Sequence, residues 1–185
     1  MKTRFLYLSI LLLAIVLINA CKKENSFSNV PSIEFKEIQQ RKDIAGKDTF
    51  FDFVFTFKDG DGDIGYSQGE FLECGQTLPN LFLAYEERRG AVFAPKLFWE
   101  GDTVRNANCE AIGVNYDSIP IVFKQRMAFI QPTGSDKSIE GEVRYRVVKS
   151  QFFVMSLQGR FQFYILDRAG NKSNIEYSSE ITLVK

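Results

Sequence analysis

Three aspartates at alternate positions, Asp59, Asp61 and Asp63, open the stretch Asp59-Gly-Asp61-Gly-Asp63-Ile-Gly65-Tyr-Ser-Gln-Gly-Glu70. Hard oxygen donors packed this closely suit a hard cation, calcium above all, which accepts about six to eight oxygens at loose angles. Counted as a twelve-residue calcium loop, Asp59, Asp61 and Asp63 fill the first, third and fifth positions. The carbonyl of Gly65 falls at the seventh, Ser67 at the ninth and Glu70 at the twelfth. An EF-hand needs glycine at the sixth position and a helix in front; here Ile64 stands at the sixth and a strand pattern precedes it, so the loop would hang on β-structure. The same residues also read as consecutive turns, each Asp bonding backbone N–H groups two residues on, with Ile64 tucked into the core. Three unscreened carboxylates so close repel one another, which argues against a wholly passive turn.

Other candidates are weaker. Asp167-Arg-Ala-Gly170-Asn171 has the residue types of a tight hairpin connection. Trp99, with Phe98 and Tyr85 near it, offers a sugar-stacking platform, against the plainer reading of a core tryptophan. Glu70 or Glu73 with an aspartate of the acidic loop offers a two-carboxylate hydrolase, but such chemistry needs two carboxyls across one cleft, about 5 to 9.5 Å apart. The chain has no histidine, which excludes the Ser-His and Cys-His nucleophile systems and the usual catalytic zinc sites. Catalysis is therefore not expected.

The elements that position these residues are strands. Thr49 to Phe57 places Phe51, Phe53, Phe55 and Phe57 at period two and runs directly into the acidic loop. Ile33 and Phe35 begin a short strand before it, and Arg41 to Lys47 is a polar turn region. Leu81 to Glu87 and Val92 to Trp99 predict a hairpin around Arg88-Arg89-Gly90. Gly101 to Ser118 reads as a long loop rich in Asn, Asp and Gly. Ile119 to Phe123 is a further strand; Val143, Tyr145 and Val147 alternate with polar neighbours, as do Phe161, Phe163 and Ile165, and Ile175 to Val184 closes the domain. About eight strands with turn signals between them and no convincing helix predict an all-β, antiparallel β-sandwich over 32–185.

The 185 residues carry 23 basic and 23 acidic side chains, with no basic stripe of the kind nucleic-acid binding requires. Residues 1–20 read as an export signal: Lys2 and Arg4, then an uncharged apolar run from Phe5 to Ile18, too short for a good spanning helix. Ile18 three residues before the cut disfavours ordinary signal peptidase, whereas Leu17-Ile18-Asn19-Ala20-Cys21 has the order of a bacterial lipobox. Cys21 would then be the acylated mature N-terminus, and several acyl chains give stable anchoring. Residues 21–31, polar and ending at Pro31, read as the lipidated tether. Of the remaining cysteines, Cys74 and Cys109 form an even pair in an exported domain, which favours one disulfide over two buried thiols.

With these residues in view, the chain resembles exported lipoproteins of Bacteroidetes. The likeness rests on the lipobox followed by Lys22-Lys23, on Phe55-Thr-Phe-Lys-Asp-Gly-Asp-Gly-Asp-Ile-Gly65, and on Lys137-Ser-Ile-Glu-Gly141-Glu; Asp167-Arg-Ala-Gly-Asn171 is similar to the late hairpin of bacterial immunoglobulin-like domains. The resemblance implies an immunoglobulin-like sandwich, and the absence of aspartate after Cys21 implies the outer membrane, with the periplasmic or outward side left open. It carries no reaction. In that topology Asp167 approaches the acidic loop to make one composite site. The expected function is a non-enzymatic binding or assembly module stiffened by calcium, with a protein or glycan partner, and with a carbohydrate-binding module as the alternative.

Overall fold

The computed structural model describes residues 27–67, 69–70, 79–130, 132, 137–148, 155 and 157–184; the side chains at 98–102, 104 and 116–119 lie outside the description. In chain order the strands are β1 (Ser32–Lys42), β2 (Asp48–Asp59), β3 (Leu81–Arg89), β4 (Val92–Pro95), β5 (Leu97–Arg105), β6 (Ala111–Pro120), β7 (Val122–Gln125), β8 (Ile139–Val148), β9 (Gln158–Ile165), β10 (Glu176–Tyr177) and β11 (Ile181–Thr182). There is no helix among the described residues.

Two antiparallel sheets carry the core. The first has the order β1-β2-β8; the second runs β10-β9-β3-β4, with β11 also on β9 and β7 on β3. Period-two alternation decides which side chains meet. Phe51, Phe53, Phe55 and Phe57 of β2 are buried, as are Phe161, Phe163 and Ile165 of β9 and Leu81, Leu83 and Tyr85 of β3. The rings of β2 and β9 interlock across the two sheets, most closely at Phe53 and Phe163, 4.7 Å apart and edge to face. That apolar interface is the dominant stabilising term of the fold, and two sheets packed through it are compatible with a sandwich.

The direction of those two strands follows from the ring contacts. Phe51 meets Phe161, Phe53 meets both Phe161 and Phe163, and Phe55 meets Phe163. Rising numbers on one strand face rising numbers on the other, so β2 and β9 end at the same end of the core.

Three details differ from expectation. The first strand extends to Lys42, beyond the short element expected, and absorbs its irregular pattern in a bulge between Phe35 and Glu37. The stretch read as a loop from Gly101 to Ser118 is most of a two-stranded antiparallel ribbon, β5 on β6. Its tip is closed by Asn106, whose Oδ1 accepts from the N–H groups of Asn108 and Glu110. Ile112 and Val114 of this ribbon are exposed, so this part of β6 did not have to alternate with the core, and its polar composition concealed the pairing. The strand expected at Ile119 to Phe123 is divided at Ile121, where β6 leaves the ribbon and β7 joins β3.

Candidate metal centre

The site begins with strand parity. Asp59, the last residue of β2, continues the inward series of Phe51, Phe53, Phe55 and Phe57, and its side chain is fully buried. Asp167, just past the end of β9, continues the inward series of Phe161, Phe163 and Ile165 and is 1% exposed. Because both strands end at the same end of the core, two carboxyls arrive there from opposite sheets.

The chain then turns tightly enough to bring two more back. The Asp63 N–H donates to Asp59 Oδ2 at 3.0 Å. Gly62 adopts φ +69, and a Cβ there would lie 2.1 Å from the Lys137 carbonyl oxygen and 2.6 Å from Pro132 Cγ. Only glycine satisfies both the left-handed backbone and the close approach. Ile64 plugs the core, fully buried, and Tyr66 pairs with Ala128 so that the loop exit is held by backbone bonds to Met127 and Phe129. At the loop entry the Gly60 N–H donates to the Ser28 carbonyl at 2.8 Å.

Asp59, Asp61 and Asp63 each offer a carboxylate oxygen within 4.8 Å of those of the other two. One oxygen of each, Oδ1, is buried and has no hydrogen-bond partner. The 167–171 turn lies directly against them: the Arg168 N–H donates to the Asp63 carbonyl at 3.2 Å and the Ala169 N–H to Asp63 Oδ2 at 3.2 Å. Asp167 itself is held by Asn171, whose backbone N–H donates to Oδ1 and whose Nδ2 donates to Oδ2, both at 2.7 Å.

The electrostatics record the crowding. Burial, with added repulsion from Asp61, Asp63 and Asp167, pushes the Asp59 carboxyl up to about 6 against the hydrogen bond from the Asp63 N–H. Burial first, then Asp167 and Asp61, raises Asp63 as well. Buried carboxylates that lack both a cation and enough hydrogen bonds are driven towards taking up a proton or holding a metal ion. No described ion pair reaches Asp59, Asp61, Asp63 or Asp167.

The later positions of the expected calcium loop are placed differently. Glu70 is neutralised by Arg168 at Oε1 and accepts the Ser67 N–H at Oε2, and the Ser67 carbonyl accepts from Arg126. Gly65 takes φ +87 with the Ala128 carbonyl against it. The grouped carboxylates are thus the three aspartates of one loop; Asp167 stands in the turn bonded to Asp63, and Gly65, Ser67 and Glu70 frame the loop. Glu70 in its ion pair does not offer a free carboxyl for hydrolysis, and Glu73 lies outside the described residues.

Tyr85, read as part of a sugar platform, is fully buried against Phe161 at 5.4 Å, because it shares the inward alternation of Leu81 and Leu83. The side chains of Phe98 and Trp99 are outside the description. Cys109 is disulfide-bonded at the tip of the β5–β6 ribbon; Cys74 falls outside the described residues, as do the leader and Cys21.

Two supporting residues escaped the sequence reading. Asn80 is fully buried and accepts the Met127 N–H on Oδ1 at 2.6 Å, while its backbone joins Gln125 and Leu166. Arg168 ties its own turn to Glu70. Neither has a local signature: a single Asn after Pro and a single Arg in a turn look like solvent-facing residues. Comparison of the chain with protein-family models, curated proteins and solved structures finds no match.

Proposed function

We propose that this chain is a lipid-anchored lipoprotein of the outer membrane, acylated at Cys21, whose immunoglobulin-like β-sandwich serves as a non-enzymatic binding or assembly module and holds a calcium ion in the Asp59 loop. The observation that carries the metal reading is the buried, unpartnered Oδ1 on each of Asp59, Asp61 and Asp63, with the three carboxylates within 4.8 Å. An all-oxygen, all-carboxylate donor set with no imidazole or thiolate in the cluster suits calcium better than a transition metal. The ion would replace the missing partners and relieve the repulsion that burial imposes on Asp59 and Asp63. Its effect is structural, since the three grouped carboxylates lie within 4.8 Å of one another, closer than the roughly 5 to 9.5 Å that paired acid–base work across a cleft requires. The larger of the two described cavities, 310 Å³, is lined by Leu81, Met127, Val143 and Tyr145 among others, and neither is lined by any of the four aspartates.

Calorimetric titration of the leaderless chain, residues 22–185, with calcium chloride tests the reading. Binding heat and a raised Tm are expected in the parent and lost in an Asp61→Ala, Asp63→Ala double variant. Absence of heat in the parent, with identical melts in calcium and in chelator, would refute it.

A further inference from the structure

The four aspartates do not belong to one element, and this gives the site a second property. Asp59 ends β2 in the first sheet and Asp61 and Asp63 follow it, while Asp167 follows β9 in the second. Polar links already cross between the sheets at this end: Asp63 accepts from the Arg168 and Ala169 N–H groups through its carbonyl and Oδ2, Arg168 pairs with Glu70, and Asn174 bonds both backbone groups of Ile33. Asp59 is fully buried with Oδ1 unpartnered, so a ligand is called for at the cluster, and Asp167 is buried in the turn that is bonded to Asp63. Each oxygen of Asp167 accepts one bond, both from Asn171. A carboxylate oxygen has a second lone pair, so these bonds orient Asp167 without using up its capacity.

Building on the calcium reading above, we infer that Asp167 is the fourth anionic group of the metal site and that the bound ion is a clasp between the two sheets. The ion gains a donor from the second sheet, and the 167–171 turn becomes fixed to the acidic loop. Asn171 acts as a positioning residue, holding the Asp167 carboxylate from both sides. The ion therefore binds the assembled sandwich far better than either sheet end alone, and its binding energy becomes sheet-to-sheet stability.

The test uses the leaderless chain with calcium chloride as the probe. Asp167→Asn keeps the shape and an acceptor for the Asn171 N–H, removes the charge, and sets its NH2 where Asn171 Nδ2 donates, a mismatch that rotation of the Asn171 amide relieves. Calcium affinity is expected to fall at least fivefold in this variant; any smaller change overturns the clasp while leaving the Asp59 loop as a metal site. Amide hydrogen exchange of the parent supplies an independent arm that needs no variant to fold. The amides of Arg168, Ala169 and Asn171 should slow on calcium addition, and unchanged exchange at calcium saturation refutes the clasp. A parent that takes up no calcium removes the metal reading itself, a result distinguishable from both.

Discussion

The charge at Asp59 should make the metal-free protein less stable at neutral pH than in mild acid. Its carboxyl stands at about 6 in the folded protein against an ordinary 3.8. A carboxyl whose folded pKa is raised contributes its stability when protonated: fully present below about pH 4, and lost as pH rises through 6. The whole difference is about 3 kcal/mol, of which about half accrues between pH 5 and pH 7.5 and most of the rest below pH 5. Asp63, raised for the same reason, adds in the same direction. Asp52 and Glu142 are held low, Asp52 by its hydrogen-bonded ion pair with Arg146 and Glu142 by Lys36. Their stability is lost only as pH falls through the acid range, so they do not oppose the trend above pH 5.

For a domain of this size 1 kcal/mol moves Tm by about 2–4 °C. In metal-depleted buffer the parent should therefore melt about 3–5 °C lower at pH 7.5 than at pH 5. Asp59→Asn retains an acceptor for the Asp63 N–H and has no charge to desolvate, so its Tm should be flatter across that interval and should exceed the parent's at pH 7.5. Calcium at pH 7.5 should restore the parent and do little for the variant. Circular-dichroism melts at the two pH values decide the matter. A parent that is equally or more stable at pH 7.5 without metal, or a variant with the parent's full pH slope, would refute the reasoning.

Phe53→Ala should cost about 3–5 kcal/mol, because this fully buried ring touches Phe35, Phe55, Phe161 and Phe163 across both sheets. Phe82→Ala, which removes a half-buried ring stacked on Tyr164 at 4.8 Å, should cost clearly less; equal losses in urea unfolding would contradict the placement of the core. Cys21→Ser should move the chain from the membrane to the soluble fraction and abolish the acyl mass, and continued membrane retention would overturn the lipid anchor.

Much of the fold was legible because period two is a strong local signal. The four phenylalanines of β2, the alternation of β8 and β9, and the glycine-broken acidic loop could all be located before any coordinates. The β5–β6 ribbon was missed for the complementary reason: residues 111–115 are exposed and carry no apolar alternation to announce a strand, and its cross-strand pairing and the Asn106 turn reveal it. The sugar-platform alternative fails at Tyr85, whose parity with Leu83 sends it inward.

At the candidate site, chain order alone determined that three carboxylates would crowd one turn, since alternate Asp and Gly allow little else, and that the turn would begin on an inward-facing position of the central strand. It did not determine how deeply Asp59 is buried, that Glu70 is taken by Arg168, or how Asp167 is held by Asn171 against Asp63. Those depend on which way two strands about a hundred residues apart run when their aromatic faces interlock. Tertiary packing sets that direction, and with it the dielectric, the repulsion and the missing partners that turn a run of aspartates into a candidate metal centre.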